Sequence, residues 1–125
     1  MRQIEITVGS VTLTATLLDT PTADRIWQFL PIFATAQAWP GVIYFETDVE
    51  SGLEPGAGFV VQPGDIVFTP DQDTITLAFA ATPISRPGEM RLARPANVWA
   101  QTKDDITALS RARPGRQVAI RRITQ

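Results

Sequence analysis

The sequence predicts a mainly β chain that closes into an eight-stranded barrel, with two short helices capping it. Three observations carry that expectation. Apolar residues alternate with polar ones in short runs, turn residues recur about every 8–12 residues, and only two stretches carry helical spacing. A sandwich has no open ends to cover, whereas a barrel does, and two amphipathic helices of about ten residues suit that task.

The stretch Trp39-Pro40-Gly41-Val42-Ile43-Tyr44-Phe45 organises the rest. A Pro-Gly turn feeds four apolar or aromatic residues, which reads as a strand over Val42–Thr47 buried on both faces. Before it, Ile4, Ile6 and Val8 alternate with polar residues, Gly9-Ser10 turns the chain, and Val11, Leu13, Ala15 and Leu17 alternate with threonines, giving a hairpin. Thr20 then caps a helix with Pro21 at its first position. Ala23, Ile26, Trp27 and Leu30 form its apolar face, with Trp27 a core plug, and Pro31 ends it. Ile32–Ala38 is weakly patterned and expected to be an extended segment or short strand leading into Val42–Thr47.

Acidic, Gly- and Pro-containing residues over Asp48–Gly58 predict a loop, the first place to look for mobility. Short strands are expected at Phe59–Val61, Ile66–Phe68, Thr74–Ala80, Asn97–Gln101 and Gln117–Ile123. Between them, Ser85–Pro95 reads as a long connection. Lys103–Ala112 is expected to be a helix capped by Thr102 and ended by Pro114-Gly115.

Composition excludes more chemistry than any motif adds. With no cysteine and no histidine in 125 residues, disulfides, thiolate nucleophiles, Ser-His-Asp triads and histidine bases are ruled out. The length suits one domain spanning 1–125. No basic-then-apolar leader begins at Met1 and no apolar run approaches membrane-spanning length, so the expectation is a cytoplasmic protein with no membrane partner.

Charge is segregated. Through Ser85 two arginines face ten carboxylates, giving −8, and from Arg86 on nine Lys/Arg face three carboxylates, giving +6. Those arginines are interrupted by Pro, Gly and apolar residues with no interleaved aromatics, so no nucleic-acid partner is expected. Asp71-Gln72-Asp73 has hard-cation spacing but no following glycine or distal glutamate, and reads as a plain turn; no cofactor is expected. Glu46, Asp48 and Glu50 alternate along an extended stretch and read as an exposed acidic edge.

The runs Asp19–Ala23, Ile43–Glu46, Gly64–Ile66, Thr82–Ser85 and Asn97–Val98 resemble, in that order, a family of small bacterial and archaeal proteins with a cyclophilin-like fold and no assigned function. A remoter similarity links Gly64-Asp65, the Phe79 strand and Val98–Gln101 to true cyclophilins. The resemblance implies a capped eight-stranded barrel. Cyclophilins lower the ~18–20 kcal/mol prolyl barrier with an arginine on a central strand. The matching position here falls at Thr47 or a neighbour, and no Lys or Arg lies between Arg25 and Arg86, so no useful isomerase activity is expected unless an arginine of Ser85–Pro95 reaches the site.

What remains is an aromatic-lined surface. Tyr44, Phe68, Phe79, Asn97 and Trp99, with Trp39 at the rim or as a lid, are the candidate ligand-binding residues, and a small molecule or short peptide is the expected partner. Phe68 and Phe79 fit a barrel core as well. Tyr44 and Asn97 stay open between core and site, because a buried phenol or amide needs a partner and a ligand is one candidate. A homodimer through an exposed strand edge is the other association the sequence suggests.

Overall fold

The computed structural model describes residues 1–123. Its elements in chain order are β1 (Gln3–Val8), β2 (Val11–Leu17), α1 (Pro21–Phe29), β3 (Ile32–Thr35), β4 (Gln37–Trp39), β5 (Val42–Glu46), β6 (Gly58–Val61), β7 (Asp65–Thr69), β8 (Thr74–Ala78), β9 (Met90–Thr102), a 3-10 helix (Ile106–Arg111) and β10 (Gln117–Arg122). The strands run antiparallel in the order β3-β10-β1-β2-β9-β7-β8-β5-β4, with β6 beside the first half of β9. β3 and β4 are separated only by Ala36 yet stand at opposite ends of that order. The sheet therefore curls until its ends meet, as a nearly closed barrel.

Parity decides what fills it. Ile4, Ile6 and Val8 of β1 face Val11, Leu13 and Ala15 of β2 inside the barrel, where Ile43 and Phe45, Ile66 and Phe68, and Ile75 and Leu77 join one core. α1 follows β2 and the 3-10 helix follows the antiparallel β9, so they lie toward opposite ends. They add Ala23, Ile26 and Leu109 to the same core. Thr20 caps α1 by accepting the Ala23 N–H at 3.1 Å. Trp27 is half-buried against the core, with the Arg2 and Arg122 guanidiniums 5.7 and 4.6 Å from its ring centre.

The structure refines the readings of Ile32–Ala38 and the Asp48–Gly58 loop and corrects those of Lys103–Ala112 and Ser85–Gln101. The stretch Ile32–Ala38 forms two strands, broken at Ala36, whose N–H and C=O bond Arg116 and Gly115 at 2.8 Å each. These two bring the strands to ten among the described residues, with β6 the strand expected at Phe59–Val61. Lys103–Ala112 is not a helix throughout. Thr102 ends β9, its hydroxyl donating to the Thr14 carbonyl at 2.6 Å, and Asp104 takes the Thr14 N–H at 2.7 Å. The chain is thus held to β2 until Asp105, whose carboxylate caps the 3-10 helix by accepting from Thr107.

Ser85–Pro95 and Asn97–Gln101 are not a connection and a separate strand, because β9 begins at Met90. Pro95 lies where the β6–β9 register shifts between Gly58↔Ala96 and Val60↔Arg91, a place where a missing donor is tolerated. Lastly, the Asp48–Gly58 loop is tied down. Val49 is buried in the core, and Ser51, Gly52 and Glu54 all hydrogen-bond to Thr22 or Asn97.

Candidate functional site

The outward faces of β4, β5, β8 and β7 carry the other parity, and their register arranges it in rows. Trp39, Val42 and Ala78 form the first row, Gln37, Tyr44, Thr76 and Val67 the second, and Glu46, Thr74 and Thr69 the third. Rows lie about 7 Å apart, two residues of strand rise. Leu92, Ala93 and Arg94 of β9 form the facing wall, and with Gln72 these residues, apart from the buried Val67 and Ala78, line a cleft of about 540 Å³ on the barrel's outside.

The cleft grades from apolar to polar along the strands. At the first row Val42 and Ala78 are buried in a second apolar cluster with Val61, Val67, Met90, Leu92 and Ala96, against which Trp39 and Tyr44 pack half-buried. At the third row stand two threonine hydroxyls and the exposed Glu46 carboxylate. Arg94 sits at that end as well, and its guanidinium is held by the Asp71 carboxylate.

The six sequence-derived candidates separate into three places. Tyr44 and Trp39 line the cleft. Phe68 and Trp99 are fully buried inside the barrel, and Phe79 packs half-buried against the same core. Trp99 gets there through a bulge: β7 pairs Ile66 with Ala100 and Val67 with Val98, leaving Trp99 as the extra residue. Its indole N–H is buried without a partner.

Asn97 is 1% exposed and lies under α1 and the Asp48–Gly58 loop, away from the cleft. Its amide nitrogen donates to Thr22 Oγ1 at 3.0 Å and the Gly52 carbonyl at 2.9 Å, and its oxygen accepts the Glu54 N–H at 2.9 Å. Glu54 in turn accepts from the Thr22 N–H at 2.9 Å and hydroxyl at 2.6 Å, placing a carboxylate at the first turn of α1. The partner that a buried amide requires is protein.

Other expectations resolve locally. Thr47, the position nearest the cyclophilin arginine, donates its hydroxyl to the Asp73 carbonyl at 3.0 Å and accepts the Val49 N–H at 3.1 Å, fixing the exit from β5. The Asp71–Asp73 turn bonds Arg94 and Thr47, and no group of three or more acidic side chains is arranged to hold a metal among the described residues. Of the alternating acids only Glu46 lies on a strand. The cleft residues missed in the sequence were Gln37, Glu46, Thr69, Gln72, Thr74, Thr76, Leu92, Ala93 and Arg94. Parity with Tyr44 was the available signal, since it selects Glu46 on β5 and the alternate threonines of β8.

The family model described as Cyclophilin-like matches residues 2–121. The chain belongs to the cyclophilin-like family. It is also similar to the solution structure of the hypothetical protein AF2241 from Archaeoglobus fulgidus, with a TM-score of 0.82 and 29% identity over 98% of this chain and 95% of that one. No curated protein matches. No helix is long and apolar enough to cross a membrane among the described residues.

Proposed function

We propose that this cyclophilin-like protein binds a small molecule or short peptide laid along β5 on the outer face of the barrel, its apolar end against Trp39 and Val42 and its polar end at Glu46 and Thr74. One observation supports this above others: three in-register rows grade from aromatic to polar across a cleft of about 540 Å³, a size ordinary for ligand sites. The barrel interior is filled by side chains such as Trp99, Phe45 and Phe68, so a ligand would have to bind outside it.

Prolyl isomerisation is the second reading, and one observation favours it: Arg94 lines the same cleft. Asp71 holds that guanidinium, which weakens its capacity to bond a substrate amide. A thermal-shift screen against a metabolite panel that includes proline peptides tests both readings. A ligand at 100-fold over its dissociation constant adds about 2.7 kcal/mol, a shift of several degrees for a domain of this size. Tyr44→Ala and Thr76→Arg should each abolish that shift while keeping the fold. Proline-peptide turnover that disappears in Arg94→Ala would instead establish the isomerase.

A further inference from the structure

Resting on the cleft being the binding site, we infer that its ligand class is a cationic amphiphile: a primary or substituted ammonium one row away from an aromatic or aliphatic body. Glu46 is the counter-charge. It lies on the outward face of β5 two residues from Tyr44, about 7 Å along the strand. It makes no salt bridge among the described residues, whereas Arg94, the one cation lining the cleft, already pairs with Asp71.

The surroundings leave that carboxylate uncompensated. Nine of the twelve lining residues come from the segment before Arg86, which carries −8. Its two arginines are engaged elsewhere, Arg2 with Asp24 and Arg25 with the Glu50 carbonyl. An anion would meet Glu46 without a free cation to offset it. A cation meets the carboxylate at one row and the Tyr44 and Trp39 rings at the next two, and aromatic faces attract cations as well as apolar groups.

Titration of the 15N-labelled protein with 2-phenylethylamine, 2-phenylethanol and phenylacetate, which share one body and differ in charge, tests this. The amine should shift amides of Tyr44, Thr76 and Thr74 and bind about tenfold or more tighter than the alcohol, with phenylacetate weakest. Glu46→Gln, at an exposed site, should bring the amine down to the level of the alcohol and leave the alcohol unchanged. Alcohol or acid binding the cleft as tightly as the amine overturns the charge preference and leaves the cleft standing. Shifts absent from the cleft with all three compounds at millimolar concentration overturn the preference and the cleft together.

Discussion

Asn97→Ala separates a structural role for the buried amide from a ligand-binding one. Three hydrogen bonds disappear, to Thr22, Gly52 and Glu54, at 1% exposure. At roughly 0.5–1.5 kcal/mol each, the loss comes to roughly 2–4 kcal/mol, since water reaches the vacated partners only if the loop lifts. A chain of 125 residues unfolds with an entropy near 0.26 kcal/mol/K, so the midpoint should fall by about 8–15 °C. Circular dichroism melts read the global loss, and amide exchange at Glu54 reads local release of the loop. Asn97→Asp, which keeps the acceptor but removes both donors and buries a charge, should be at least as harmful. Ligands that shift the cleft amides should keep their affinity in Asn97→Ala. A midpoint change under about 2 °C, with Glu54 exchange unchanged, would refute the idea that this amide fastens α1 and the loop to the barrel.

Gly64 has φ +91°, and a Cβ there would lie 2.5 Å from the Thr102 carbonyl oxygen, so Gly64→Ala should cost about 2 kcal/mol or more in a denaturant melt. Trp99→Phe removes a buried N–H that has no partner, which offsets the lost volume; it should cost less than about 1 kcal/mol, against about 3 kcal/mol or more for Trp99→Ala. Glu89 is held below the ordinary carboxylate range by the Arg91 guanidinium at 2.8 Å and the Arg86 N–H at 2.9 Å. A depressed folded pKa stabilises above the unfolded value and loses that contribution as pH falls through the folded one, so an NMR titration should find Glu89 low and Arg91→Ala should raise it toward normal.

The strands with strict alternation were legible because one face of each packs on a core, and period two is then forced on the sequence. β1, β2 and β8 are of this kind, whereas β5 was read from its continuous apolar run. β9 was only half legible: Arg91, Arg94 and Pro95 read as loop chemistry, although Met90, Leu92 and Ala96 pack beneath them against an outer cluster that local pattern does not announce. The inward turn of Trp99 could not be read locally, because a bulge is a property of two strands and the partner residues Ile66 and Val67 lie far off in sequence. The anchoring of the Asp48–Gly58 loop was out of reach for a similar reason. Its composition is that of a loop, but Ser51, Gly52 and Glu54 meet Thr22 and Asn97 only once the barrel closes. Tyr44 and Trp39 of the cleft were visible; Glu46 and the threonines needed the register.

This arrangement separates recognition from stability along a single strand. Ile43 and Phe45 point into a filled core, where truncation leaves a cavity costing about 3 kcal/mol or more. Tyr44 and Glu46, the intervening residues, touch the cleft, and exchanging them alters the chemistry offered to a ligand without touching the barrel interior. β8 repeats the division, with Ile75 and Leu77 inside and Thr74 and Thr76 outside. A barrel whose interior is already occupied can therefore change what it binds by substitutions at alternate positions of two neighbouring strands. The same parity makes the cleft sensitive to register. A slip of one residue in β5 would put Glu46 against Ile75 and turn the carboxylate into the core, so ligand specificity and correct strand pairing depend on the same Val42–Ala78 and Tyr44–Thr76 pairs.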